Sequence, residues 1–135
     1  MDTQRISPKW INKLAEHEIF VFGSNLAGAH GAGAAKLAMN WGAVWGKGVG
    51  LHGQTYAIPT MQGGIETIKP YVDDFLTFAK SKPNLKFLVT EIGCGIAGFT
   101  VEEIAPLFKN AIDENIANVY LPESFYRVLE ENENL

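Results

Sequence analysis

Ile19-Phe20-Val21-Phe22-Gly23-Ser24-Asn25-Leu26-Ala27-Gly28-Ala29-His30-Gly31-Ala32-Gly33 is the stretch that decides the fold of this chain. Its first four residues are apolar without alternation, the pattern of a short strand covered on both faces. The glycines and alanines after them form a loop, and Ala34 through Met39 then read as a helix of small residues. Strand, loop and helix in that order make a βα unit, which usually spends only ~2–6 residues on its connection. This connection is longer and nearly stripped of side chains. Such a loop leaves backbone N–H groups free to approach a ligand, and the start of a helix favours an anion there.

A second stretch repeats the arrangement. Lys86 through Ile92 (Lys-Phe-Leu-Val-Thr-Glu-Ile) is the best strand in the chain, and Gly93-Cys94-Gly95-Ile96-Ala97-Gly98-Phe99 follows it. Thr100 with Glu103 then forms a capping box that opens a helix carrying Ile104, Leu107, Phe108, Ala111 and Ile112. Two such loops at matching places point to one pocket for a diphosphate-bearing ligand.

The rest of the chain fills in an alternating pattern. Ser7-Pro8 has the chemistry of a helix start, with Trp10, Ile11 and Leu14 at helical spacing up to about His17. Gly42 to Gly53 reads as a long connection, and Thr55 to Ile58 as a strand stopped by Pro59. Pro70 is expected to start an amphipathic helix bearing Val72, Phe75, Leu76 and Ala79 on one face. Pro106 predicts an irregularity within its helix. Asn118 to Leu121 is a last strand, and Pro122 begins a terminal helix with Phe125, Val128 and Leu129 inward. The acidic tail from Glu130 to Leu135 is expected to fray. Strands alternating with helices predict an α/β fold, a three-layer α/β/α arrangement around a mostly parallel sheet, forming one domain over residues 1–135. Ligands of such sheets bind at the carboxyl ends of the strands, where both glycine loops leave.

Composition bounds the function. With 135 residues, 47% hydrophobic and 19% charged, the chain has the make-up of a globular protein. A formal charge of −4 argues against non-specific binding to nucleic acid, which needs clustered Lys and Arg. No apolar run reaches the ~20 residues of a membrane span, and the N-terminus lacks a signal-peptide pattern. A single cysteine fits a reducing compartment, so a cytoplasmic protein is expected. His17, His30 and His52 are too scattered to argue for zinc, and no metal or cofactor is expected. The oligomeric state is not legible.

Individual residues carry both a chemical and a plain reading. The Asn25 amide can hold a ribose hydroxyl or a phosphate oxygen, and Gly31 and Gly33 lie where N–H groups can meet a phosphate. His30 is a candidate acid or base, although a loop histidine more often serves as a hydrogen-bonding residue. Lys36 could neutralise a phosphate, but a solvated helix lysine is the commoner case. Cys94 lies near a helix start, which lowers a thiol pKa, yet no base accompanies it. Glu91 ends a central strand beneath the second loop, as a base or as an acceptor for backbone donors. His52, Gln54 and Gln62 are candidates to contact a nucleoside, and Trp41 and Trp45 to wall a pocket or pack a core.

The two loops together resemble the ligand-binding loops of the macrodomain superfamily, which binds ADP-ribose and related NAD metabolites. Val21-Phe22-Gly23-Ser24-Asn25 followed by His30-Gly31-Ala32-Gly33 is similar to that family's Asn-bearing turn and glycine cluster. Ile92-Gly93-Cys94-Gly95-Ile96-Ala97-Gly98-Phe99 is similar to its second loop, with an aromatic residue just before a helix. The resemblance spans about Ile19 to Leu121, but its specific motifs are the two loops alone. It implies that Asn25 orients the distal ribose, and that Gly31, Gly33 and Ala34 line the diphosphate. It also implies that Gly95, Ile96, Ala97 and Gly98 enclose the diphosphate from the other side, with Phe99 near the distal ribose. Gly23, Ser24, Ala32, Gly93 and Cys94 complete the implied binding set, and Asn25 and His30 are the candidate catalytic pair.

The family's catalytic groups are not matched. Ala34-Ala35 stands where one class of hydrolases carries an acid, the adjacent glutamates of another class do not occur, and Lys36 is a turn away from a third class's lysine. The acid that reads adenine is not placed. The resemblance therefore implies binding of ADP-ribose or a related nucleotide, with hydrolysis of an ADP-ribose linkage as a further expectation. The alternatives are a small α/β enzyme acting on another nucleotide or sugar phosphate, and a protein-interaction module whose glycine loops are structural.

Overall fold

The computed structural model describes residues 5–133 and is built on one five-stranded sheet of order β2-β3-β1-β4-β5. Strand β1 (Glu18–Ser24) is the centre. It pairs in parallel with β3 (Thr55–Pro59) on one side and β4 (Lys86–Val89) on the other. Strand β5 (Val119–Tyr120) continues the sheet in parallel beyond β4. Strand β2 (Gly50–His52) closes the opposite edge antiparallel to β3, so the sheet is mixed rather than mostly parallel. The difference comes from the turn at Gly53 (φ +59), where the chain reverses directly into β3. A hairpin connection can only make an antiparallel pair.

The uniform apolar run of β1 is used on both faces. Ile19 and Val21 join the larger cluster, with Phe87 and Val89 of β4 and the inward faces of α2 (Ile65–Lys80) and α5 (Glu123–Glu133). Phe20 and Phe22 join a smaller cluster with Ala57 and Ala38, against which Ile11, Leu14 and Trp41 pack. Alternate strand residues face opposite sides, so these two clusters lie on the two faces of the sheet. Helix α1 (Gly33–Ala38) runs on as a 3-10 turn over Met39–Trp41, bringing the Trp41 ring to 5.0 Å from Phe20.

Helix α2 starts five residues before Pro70, at Ile65, and Pro70 lies inside it. The Thr67 hydroxyl donates to the Gly64 carbonyl at 2.6 Å in the first turn. The predicted irregularity at Pro106 is present: α3 (Val101–Ile104) passes into a 3-10 turn over Ala105–Phe108 before α4 (Lys109–Asp113). The capping box at Thr100 is complete, with Glu103 N–H donating to Thr100 Oγ1 at 3.2 Å and Thr100 N–H to the Glu103 carboxylate at 2.9 Å.

Two further expectations fail. Residues 7–17 form no helix. Ser7 is recruited by the sheet: its N–H donates to Leu121 O at 2.9 Å, and its buried hydroxyl donates to Val89 O at 2.6 Å. Pairing with Leu121 holds Ser7 in extended, sheet-bridged backbone beside β5 rather than at a helix start, and Trp10 is left 84% exposed. Glu130 to Glu133 belong to α5 rather than to a frayed tail, while residues 134 and 135 lie outside the described residues. Among the described residues no helix is long and apolar enough to cross a membrane.

Candidate functional site

Strands β1, β3 and β4 are parallel, so their carboxyl ends share one edge of the sheet, and a cavity of about 370 Å³ opens there. That size falls within the ~300–1,000 Å³ common for small-molecule sites. Gly23, Ser24 and Asn25 line it at the end of β1, and Gly31, Ala32, Gly33 and Ala34 where the first loop enters α1. Gly93, Gly95, Ile96 and Ala97 of the second loop form the facing wall. Cys94, Gly98 and Phe99 are outside the lining; Cys94 and Phe99 pack against the larger core cluster. Thr60, Met61 and Thr90 line the cavity without having been singled out from the sequence. Their signal is topological: each follows a strand parallel to β1, a pairing that a linear reading does not contain.

The glycines divide into two kinds. Gly28 has φ +69, and a Cβ there would fall 2.3 Å from the Lys47 nitrogen; a Cβ on Gly48 would fall 1.9 Å from the Asn25 oxygen. These two let the first loop lie backbone to backbone on the 44–48 segment, joined by Gly46 N–H to Gly28 O at 2.9 Å. Gly23 plays a related part, since its Cβ would meet the Gly93 nitrogen at 3.2 Å and Thr60 Oγ1 at 3.3 Å. By contrast, a Cβ on Gly33 or Gly95 would meet nothing within 4 Å. The same openness is found at Gly46, Gly50 and Gly98, which lie outside the cavity lining.

The backbone N–H groups of Gly31, Ala32 and Gly33, and of Gly95, Ile96 and Ala97, have no hydrogen-bond acceptor among the described residues. Rows of unpaired N–H groups form a concave anion site without any cationic side chain. The lining in fact contains no Lys, Arg or His.

Side-chain polar groups in the wall are mostly committed. The hydroxyl of Ser24 donates to Gly48 O, that of Thr60 to Ser24 O at 3.4 Å, and that of Thr90 to Val21 O at 2.8 Å. The Asn25 amide clamps its own loop, donating to Ala29 O at 3.2 Å and accepting from Ala29 N–H at 3.0 Å. One N–H and one lone pair of that amide remain. Glu91 is exposed, and its Oε2 accepts from the Ser124 hydroxyl at 2.6 Å.

His30 is 2% exposed and is not part of the lining. Its ring meets Phe22 edge-on at 5.4 Å and Trp45 at 6.4 Å, and its Nε2–H donates to the Lys47 carbonyl at 3.1 Å. Nδ1 is buried without a partner among the described residues. The histidine therefore helps seat the 44–48 segment on the first loop. Cys94 is moved opposite to the expected direction: burial, with Glu91, Glu102 and Glu103 nearby, pushes its pKa up to about 11. Helix α3 is a single turn, so its dipole cannot offset these effects.

The nucleoside candidates are held elsewhere. His52 Nε2–H donates to Val49 O at 3.1 Å, Gln54 donates to Ala15 O at 2.8 Å, and Gln62 Oε1 accepts from Leu26 N–H at 3.1 Å. Lys36 is exposed on α1 outside the lining. Among the described residues no group of three or more His, Cys, Asp and Glu is placed to hold a metal ion. No protein-family model, no curated protein and no solved structure matches this chain.

Proposed function

We propose that this chain is a macrodomain-like module, its sheet the middle of three α/β/α layers, that binds ADP-ribose or a related NAD-derived nucleotide between its two glycine loops. One observation carries the reading: the two glycine loops that line a cavity of about 370 Å³ each carry backbone N–H groups without an acceptor among the described residues, and the lining has no cationic side chain. A diphosphate is the ligand group that two such rows match, each row taking part of its charge. The apolar side chains of Ile96 and Met61 at the cavity suit the uncharged parts of a nucleotide.

Binding rather than hydrolysis is the function assigned here. His30 is enclosed outside the cavity, and half of the Asn25 amide is spent on Ala29. Calorimetric titration with ADP-ribose, with NAD, AMP and inorganic phosphate as comparisons, tests the assignment. Saturable heat with ADP-ribose exceeding that with AMP or phosphate is expected. A folded sample giving no heat with any nucleotide removes the reading. It would then favour the protein-interaction alternative, for which Val44, Trp45, Val49 and Leu51 supply exposed apolar surface.

A further inference from the structure

The cavity holds one ionisable side chain, and it has the wrong sign for a phosphate. Among the lining residues only Glu91 carries a charge. A carboxylate is an acceptor with about four lone-pair sites; it attracts a hydroxyl proton and repels a phosphate oxygen. The Ser124 hydroxyl of α5 takes one of those sites at 2.6 Å, fixing Oε2 and leaving Oε1 without a partner among the described residues. The three hydroxyls of the wall all donate to backbone carbonyls, so they do not compete for Glu91. No hydroxyl of the lining is left to donate to Oε1, so a donor there comes from solvent or from a ligand that displaces it.

Resting on the nucleotide-binding reading, we infer that Glu91 is the specificity-determining residue of this cavity. Its carboxylate accepts hydrogen bonds from the hydroxyls of an uncharged sugar at the end of the ligand and rejects a ligand that ends there in phosphate. The diphosphate then lies on the N–H rows of the loops, and the sugar beyond it meets the C-terminal end of β4. The preferred class is a nucleoside diphosphate capped by a sugar, in preference to a free nucleoside diphosphate. Ser124 is a positioning residue, since it touches Glu91 and lies outside the lining.

The test compares ADP-ribose with ADP by calorimetry on the wild-type chain and on Glu91→Gln, with thermal melting as the control for folding. Glu91 is exposed, so the variant is expected to fold as the wild type does. Removing the charge should weaken ADP-ribose by about 10-fold, as a charge-assisted hydrogen bond is lost, and should tighten ADP by about 3-fold or more, as repulsion is relieved. A structural role for Glu91 would move both ligands in the same direction. Affinities that cross in this way support the inference. Parallel changes, or none, overturn it while leaving nucleotide binding intact. If the wild-type chain binds neither ligand, the reading of the function fails and this inference fails with it.

Discussion

Replacing Gly95 by glutamate is the sharpest perturbation of the proposed anion site. Gly95 borders the cavity, and its backbone lies outside the left-handed region that only glycine tolerates well. A Cβ there meets no heavy atom within 4 Å, so the side chain enters open space and the fold is spared. Stability should stay within about 0.5 kcal/mol of wild type, as for other surface substitutions free of strain. The new carboxylate stands beside the N–H groups of Ile96 and Ala97, which have no partner among the described residues. It both competes for them and repels a bound diphosphate.

The magnitude follows from Coulomb's law. Two unit charges about 5 Å apart interact by ~0.8 kcal/mol in a water-like medium and ~3 kcal/mol at an effective dielectric of 20. Gly95 is exposed to solvent, so a value between these limits applies. About 1.5–2 kcal/mol corresponds to a loss of ADP-ribose affinity of roughly 10- to 30-fold. Gly95→Gln adds nearly the same volume without the charge and should lose much less. Raising the salt from 0.15 M to 1 M shortens the screening length from about 8 Å to about 3 Å, so the glutamate variant should recover part of its loss. Isothermal titration at both salt concentrations reads each effect. Equal affinities for wild type, Gly95→Gln and Gly95→Glu would refute the claim that the second loop holds the diphosphate.

Gly28→Ala is expected to destabilise by at least about 2 kcal/mol, because φ +69 and a Cβ only 2.3 Å from the Lys47 nitrogen together force the 44–48 segment away. In the same urea titration Gly31→Ala, with its nearest atom 3.9 Å away on Trp45, should stay within about 0.5 kcal/mol. Thr100→Ala removes one half of the capping box and should cost about 1 kcal/mol by chemical denaturation, with no change in ligand affinity. Cys94, raised from 9.0 to about 11, should alkylate with iodoacetamide about 100-fold more slowly at pH 7.5 than an unshifted thiol, since each pKa unit is tenfold in thiolate. The folded chain holds that proton more tightly than the unfolded one, so its contribution to stability is full below pH 9 and lost as the pH rises towards 11. Tyr56 and Tyr126, both raised mainly by burial, act in the same direction, and melting temperatures should fall across that alkaline range.

Much of the fold was legible because local chemistry and tertiary packing agree. The apolar run of β1, the Thr100 capping box and the break at Pro106 appear where the sequence puts them, whereas β4 ends at Val89, three residues short of Ile92, so Glu91 lies in the loop after the strand. Reading failed where a residue's local preference was outbid by a partner distant in sequence. Ser7 looks like a helix cap, yet it bonds to Val89, 82 positions away. Gly50 to His52 reads as loop because three residues are too few for a period, and only pairing with β3 makes them a strand. Of the site, the glycine walls were visible and the third wall from β3 was not. His30 looked available because loops are usually exposed, whereas this loop is itself covered by the 44–48 segment.

The distribution of glycines explains how a cavity of this kind stays both precise and open. Gly28, Gly48 and Gly23 are spent on close backbone approaches that hold the first loop against the 44–48 segment and the end of β1 against the second loop. The openings at Gly33 and Gly95 lie beside loops held by those contacts. Seating loses less entropy than ordering both loops at the moment of binding, so more of the interaction with an anion is left as affinity. On this argument Gly28 and Gly48 matter to the ligand without touching it. Their substitution should weaken binding in proportion to the loosening of the first loop, measurable as faster amide exchange at Gly31 to Gly33 in the free protein. Unchanged exchange alongside lost binding would place the defect elsewhere.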